Sequence, residues 1–244
     1  MSRVILITGS NTGIGLSLVR LLASKPEKHT VYLSARNPDS GNDALKTLNS
    51  EGLTNVKFVQ LDVTSKSSIQ TAAETLQKAE GKLDILVHNA GISRMDAPQS
   101  ASNVDTEVIK ETMDVNLYGV INTTQAFIPL LRHSNKPIIL LVSTSMASNT
   151  QQSRTGSQMH VVAYNTSKVA ANSYLIALAS ELKGDGFCIN AVTPGFTTTK
   201  LNGFKAGGKT TEQAAELLAE WSLLEGELEG RTGLFWNDKG EYPW

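Results

Sequence analysis

The sequence predicts a single α/β domain over residues 1–244, with a parallel seven-stranded sheet doubly wound by helices on both faces. Three observations lead there. Strand-like and helix-like runs alternate along the whole chain, several strand-like runs are apolar at nearly every position, and the first passes through a glycine-rich turn into a helix. Alternating patterns argue for parallel strands joined by helical crossovers. Continuous apolar strands argue for a sheet covered on both sides. A chain of 244 residues can bury a sizeable core, with little room for two domains.

The strand-like runs are 4–8, 30–35, 56–61, 83–88, 138–142, 188–192 and 233–236, and the helix-like runs are 13–23, 42–49, 65–80, 106–131, 160–182 and 211–223. No repeat or low-complexity segment interrupts them. The longest segments without regular pattern are 145–159 and 195–210. Both follow strands, and long loops in compact domains are usually functional. Open α/β sheets bind ligands beyond the carboxyl ends of their strands.

The composition excludes several classes. With 22 basic and 23 acidic residues the net charge is −1, which gives no electrostatic case for nucleic acid or an anionic membrane. No apolar run approaches the roughly 18 residues of a membrane span. The N-terminus runs into a strand with no cleavable apolar region. The lone Cys188 reads as a small buried apolar residue and suits a reducing, cytoplasmic compartment. The four histidines are scattered, so no metal is expected.

The turn Gly9-Ser10-Asn11-Thr12-Gly13-Ile14-Gly15 has the spacing Gly-x3-Gly-x-Gly and stands between strand and helix. Glycines serve where the backbone turns sharply or approaches a pyrophosphate. The helix N-terminus adds unpaired N–H groups and the positive end of a dipole. A nucleotide site is the reading.

Tyr164-Asn165-Thr166-Ser167-Lys168 lies in a helix-like run. Residues four apart share a helix face, so Tyr164 and Lys168 can occupy one pocket. A free tyrosine titrates near ~10. A neighbouring cation favours the phenolate and makes the tyrosine a usable acid or base.

Four motifs in order, Thr8-Gly9-x3-Gly13-x-Gly15, Asn89-Ala90-Gly91, Tyr164-x3-Lys168 and Pro194-Gly195, together resemble the classical short-chain dehydrogenase/reductase family. The likeness is greatest to small carbonyl-reductase-like members, including fungal ones. It implies a Rossmann-like fold and an NADP-dependent enzyme acting on CH-OH/C=O groups.

The second strand ends in Ala35-Arg36, where NAD-selective relatives carry an aspartate at the position of Ala35. A guanidinium suits a ribose 2′-phosphate, so NADP(H) is expected, with Ser10 and Asn11 adding hydrogen bonds. By resemblance, Asp62 contacts adenine with Val63 packed near it. Asn89, Ala90 and Gly91 admit the cofactor close to the backbone, and Pro194, Gly195 and Thr197 hold the nicotinamide carboxamide. Asn116 matches the family's catalytic asparagine, which bends its helix and holds a water leading to the lysine.

The catalytic hydroxyl is less directly placed. Counting from the start of the fifth strand selects Ser143; counting back from Met146-Ala147-Ser148 points to Thr144 or Ser145. Ser143 is preferred because strand registers resist slippage better than loops, with Ser145 second. The gap to Tyr164 is 21 positions (164 − 143), longer than in the family, so the 149–162 region carries an insertion.

The expected chemistry is hydride transfer between the nicotinamide and a carbonyl or alcohol carbon. Tyr164 gives the proton, Ser143 holds the oxygen, and Lys168 lowers the tyrosine's pKa and grips the ribose. The pocket wall is expected from 92–98, 145–159 and 196–208. These contain Met95, Met146, Met159, Phe196, Leu201 and Phe204, an apolar and adaptable set. The segment 196–210 is a substrate loop with Gly203, Gly207 and Gly208 as hinge points. The resemblance allows a homodimer or homotetramer through helices 106–131 and 160–182. Two alternatives stay open: the same fold used for imine reduction or another biosynthetic step, and a non-catalytic NADP-binding sensor.

Overall fold

The structure, a computed structural model, describes residues 2–157 and 160–244. Strands β1 (Val4–Ile7), β2 (Thr30–Ala35), β3 (Val56–Gln60), β4 (Ile85–His88), β5 (Ile138–Val142), β6 (Cys188–Val192), β7 (Phe235–Asn237) and β8 (Gly240–Glu241) form one sheet in the order β3-β2-β1-β4-β5-β6-β7-β8. The first seven run parallel, as the apolar runs predict. The short β8 is an addition, returning antiparallel on β7 after Asp238-Lys239. The two residues of β8 are too few to show a period in sequence.

Successive residues of a strand face opposite sides, and both sides are buried. Ile5, Ile7, Leu33, Ile138 and Leu140 pack with α1 (Gly13–Ala23), α2 (Pro38–Ser50) and α8 (Thr211–Leu223) through Leu18, Leu22, Leu48, Leu218 and Trp221. Leu6, Leu86, Ile139, Leu141 and Ile189 pack with α3 (Lys66–Glu80), α5 (Gly119–Leu131) and α7 (Val162–Glu181) through Ile69, Leu76, Phe127, Leu175 and Leu178. Each such side chain contributes about 1.5–3 kcal/mol on burial, offset by the entropy of ordering the chain. Ala171 and Ala179 belong to this core, and Cys188 is buried in β6.

Local signals explain the helix boundaries. Helix α2 starts four residues before the predicted 42 because Asn37 caps it, accepting from Ser40 N–H at 3.0 Å, and Pro38 stands in its first turn. Ser65 caps α3, and Gly81, at φ 70°, ends it. The predicted helix 106–131 is three pieces: α4 (Thr106–Met113), a π-helical turn (Asp114–Tyr118) and α5. The wide turn is closed by Gly119 N–H on the Asp114 carbonyl. Single π turns often mark functional positions. The segment expected to be irregular after β5 holds a 3₁₀ turn at Ser145–Ala147 and a short helix, α6 (Asn149–Gln152).

The strand order reverses at β1, whose neighbours are β2 and β4. The crevice at the carboxyl ends of β1 and β4 is therefore the topological switch point, where ligands bind in such sheets. Among the described residues no helix is long and apolar enough to cross a membrane.

Candidate active site

At the switch point the β1 and β4 ends are tied together. Thr8 N–H donates to Val87 O at 2.9 Å, and Asn89 Nδ2 donates to Thr8 O at 3.0 Å and Gly9 O at 2.9 Å. A Cβ on Gly9 would lie 2.9 Å from Ala90 Cα, and one on Gly15 would lie 2.5 Å from Asn89 Nδ2. These two glycines thus exist for close packing of the turn on β4. Gly13 shares the positive φ of Gly9, +60° against +58°, but a Cβ there would meet nothing. It leaves open space at the start of α1, whose first turn has neither a side-chain cap nor an acidic residue. Unfilled N–H groups and the helix dipole there suit an anion.

The β2 end places Arg36 in solvent next to that turn. Among the described residues its guanidinium has no ion-pair partner. Asn11 Nδ2 donates to Ser40 Oγ at 3.1 Å beside it. Ser10 does not join them. It is fully buried, donates to Ile7 O at 2.8 Å and accepts from Ser34 N–H at 2.9 Å, so its hydroxyl staples β1 to β2 and cannot reach a phosphate without breaking both bonds. Asp62 spends one carboxylate oxygen on its own turn, accepting from Thr64 N–H at 2.9 Å and Thr64 Oγ1 at 2.7 Å. Val63 packs beneath Gly119.

The second group gathers at the ends of β4 and β5. Lys168 Nζ donates to the Val142 carbonyl at 2.9 Å, and burial lowers its ammonium to about 8. Asn116 sits in the middle of the π turn. Its Oδ1 accepts from Ile92 N–H at 2.9 Å, and its Nδ2 donates to Ile92 O at 2.8 Å and Ser167 Oγ at 3.0 Å. Ser167 in turn donates to Tyr164 O at 2.8 Å, linking the π turn to α7. A Cβ on Gly91 would lie 3.1 Å from Asn116 Oδ1 and 3.6 Å from Lys168 Nζ, so the bare Gly91 backbone, the asparagine and the lysine share one spot. His88 is buried beneath, bonded to Thr124 Oγ1 at 2.8 Å. Burial, then the Lys168 charge, push its pKa down to about 3, and it stays neutral.

Tyr164 is pushed up to about 12 by burial, opposed by a hydrogen-bonding interaction with Thr144. The expected lowering by Lys168 is absent from this geometry, in which the lysine is turned onto the Val142 carbonyl. The hydroxyl facing Tyr164 is thus Thr144. Ser143 is engaged deeper along the same helix: its Oγ donates to Asn172 Oδ1 at 2.8 Å, two turns beyond Tyr164 on α7. One position of strand exit thus separates the hydroxyl beside Tyr164 from the one bonded to Asn172. Ser145 opens the following 3₁₀ turn.

These are the features of one enzyme family, and a family model described as short chain dehydrogenase matches residues 3–208. The chain belongs to the short-chain dehydrogenase family. The (+)-neomenthol dehydrogenase of Arabidopsis thaliana is 32% identical, with 97% of this chain and 96% of the plant protein covered. The NADPH carbonyl reductase 1 of Mus musculus is 30% identical over 99% of this chain and 98% of the mouse protein. The solved NADPH-bound carbonyl reductase from chicken fatty liver is 26% identical, covers 100% of this chain and 99% of its own, and superposes with a TM-score of 0.87.

In this short-chain dehydrogenase the segments expected to wall the substrate pocket carry exposed apolar side chains. Met95, Phe196, Leu201 and Phe204 are exposed large hydrophobic residues. All four lie on the segments after β4 and β6, and Met159 lies outside the described residues. Pro194 is buried and Gly195 takes φ +85° at the start of the substrate loop. Thr197 is buried, its Oγ1 donating to Gly195 O at 3.2 Å. The loop closes on itself through Thr198 N–H to Lys209 O at 3.1 Å and Lys209 N–H to Phe196 O at 2.9 Å. Gly203 and Gly207 adopt positive φ with open space around them, as hinges would. Gly208 is instead a packing glycine, where a Cβ would lie 2.6 Å from Thr198 N. Lys209 is paired with Asp238 at 2.6 Å, so it is committed to the loop base.

Proposed function

We propose that the chain is an NADPH-dependent oxidoreductase that reduces the carbonyl of a small, largely apolar substrate, or runs the reverse oxidation, with Tyr164 as proton donor. The observation that carries this is Tyr164 beside Thr144, one helical turn before Lys168, whose Nζ lies with Asn116 at the bare Gly91 backbone. The cofactor fits residues that are otherwise unexplained. The open Gly13, the uncapped first turn of α1 and the exposed Arg36 would hold the phosphates and the 2′-phosphate. Gly91, Lys168, Gly195 and Thr197 would take the ribose and nicotinamide end. The mouse NADPH carbonyl reductase and the NADPH-bound chicken enzyme support the same assignment. When bound, NADPH supplies the hydride.

The chain's own residues handle the proton and the charge. Tyr164, at about 12, holds its proton at neutral pH. It releases it downhill to a forming alkoxide, a base of roughly the strength of hydroxide, whose conjugate acid water lies at ~15.7. Thr144, at the position where Ser143 was expected, donates a hydrogen bond to the same oxygen and stabilises charge as it develops. Lys168 supplies positive charge to the pocket, and Asn116 fixes Ile92 and Ser167 around it. Apolar side chains on the segments after β4 and β6 favour an apolar substrate and exclude water.

The test is NADPH oxidation, followed by absorbance, over a panel of aldehydes, ketones, diketones and imines, for the parent and Tyr164→Phe. The expected result is turnover of carbonyls by the parent, and NADPH binding with most turnover lost in the variant. Parent-like turnover by Tyr164→Phe overturns the proton-donor assignment. Cofactor binding with no turnover of any class supports the sensor instead.

A further inference from the structure

Two buried polar side chains connect the substrate loop to the start of the tyrosine helix. Ser93 is 4% exposed and Gln99 8%, both on the segment after β4. Buried polar groups need partners, and theirs form a continuous chain. Ser93 Oγ donates to the Leu201 carbonyl at 2.6 Å, in the 3₁₀ turn Lys200–Asn202 of the substrate loop. Gln99 Nε2 donates to Ser93 O at 2.8 Å and Arg94 O at 2.6 Å. At its other end, Gln99 Oε1 accepts from Tyr164 N–H at 3.2 Å, and the Gln99 carbonyl accepts from Val162 N–H at 3.1 Å.

Helix α7 needs this help. Its cap position is Val161, which makes no side-chain cap bond. The first N–H groups of a helix have no partner within it, and an uncapped end frays. Gln99 supplies two acceptors from another segment, and one of them serves the amide of Tyr164 itself.

We infer that Gln99 is a positioning residue for Tyr164, coupling it through Ser93 to the substrate loop at Leu201. The inference rests on the reading of Tyr164 as proton donor. With the loop seated, the Leu201 carbonyl holds Ser93, Ser93 holds the Gln99 amide, and Gln99 holds the first turn of α7. With the loop lifted about Gly203 and Gly207, the chain loses its outer anchor and the first turn of α7 loosens. The tyrosine is thereby set in place when the site is covered. A misplacement of about 1 Å at a reacting group can lower the rate ~100-fold, so such a coupling has a measurable output.

The experiment compares Gln99→Met, Ser93→Ala and Ser93→Thr in the full chain. Steady-state kinetics on the best carbonyl of the panel are combined with NADPH binding and amide hydrogen exchange over 162–168. Gln99→Met should lower kcat about tenfold or more, with NADPH affinity unchanged. Ser93→Ala should lower kcat less, raise KM, and speed exchange at Val162 and Tyr164, although Ser93 touches neither. Ser93→Thr, which keeps the hydroxyl, should restore all three. In the double variant Gln99→Met/Ser93→Ala the losses should be less than additive, because both cut one chain. Parent-like kcat in Gln99→Met, or unchanged exchange at α7 in Ser93→Ala, overturns the inference. If the parent turns over no substrate the functional reading fails, and the coupling is judged on hydrogen exchange alone.

Discussion

Thr144→Val and Ser143→Ala should produce opposite pairs of effects, because the two adjacent hydroxyls face different surroundings. Thr144 stands against Tyr164, where the reacting oxygen would be held. Removing one such donor typically costs ~10²–10³ in kcat, or about 2.7–4 kcal/mol of transition-state stabilisation. Valine nearly matches threonine in shape and forfeits for folding only the bond that Thr144 Oγ1 accepts from Met146 N–H at 3.3 Å, a cap worth about 0.5–2 kcal/mol. Ser143 is bonded to Asn172 Oδ1 at 2.8 Å, and Asn172 Nδ2 is already buried without a partner among the described residues. Alanine at 143 leaves both ends of that amide unpaired in the interior, a cost of about 1–3 kcal/mol. For a chain of this size that is a fall in Tm of roughly 2–12 °C. Turnover at a temperature where the variant is folded should stay near that of the parent. The assays are initial rates of NADPH oxidation and thermal unfolding by circular dichroism. If Ser143→Ala loses turnover at an unchanged Tm while Thr144→Val keeps it, the assignment of the hydroxyl is wrong.

Other outcomes follow from the same geometry. Arg36→Ala should weaken NADPH binding about tenfold, leave NADH binding unchanged, and flatten the salt dependence, since a surface ionic contact is screened; calorimetric titration with both cofactors checks it. Lys168 gives a pH signature. Its ammonium is lowered from 10.5 to about 8 in the fold. The unfolded chain therefore holds a proton between those values that the folded chain has released, and stability should rise with pH across that window by on the order of 3 kcal/mol. Tyr164, raised from 10.0 to about 12, acts with the opposite sign above pH 10, because the unfolded tyrosine ionises first. Lys168→Met should abolish the rise, as read by urea unfolding at pH 8 and 10; an identical rise in the variant contradicts the burial argument.

Much of the fold was legible because the physics behind it is local. Runs such as Val4–Ile7 and Ile138–Val142 are apolar at every position because both sheet faces are covered. Gly13 and the Tyr164–Lys168 spacing were legible for a similar reason: a turn and a helix face are fixed within a few residues. Four features were not. The choice between Ser143 and Thr144 depends on one residue of strand exit, which resembles either register in sequence. The burial of Ser10 follows from pairing with Ser34, 24 positions away. The start of α2 at Pro38 rests on the Asn37 cap, four residues ahead of the weak apolar period that marks the helix in sequence. Gln99 carries no local signal, since a glutamine in a polar loop reads as solvated until the loop is seen folded against α7.

Hydride transfer itself can be followed directly. A single turnover with NADPH deuterated at the transferable C4 position, analysed by mass spectrometry, would follow it. The expected result is one deuterium on the former carbonyl carbon of the product, with the yield falling sharply in Tyr164→Phe although NADPH still binds. A parent enzyme that binds NADPH and substrate yet leaves the deuterium on the cofactor would contradict the account.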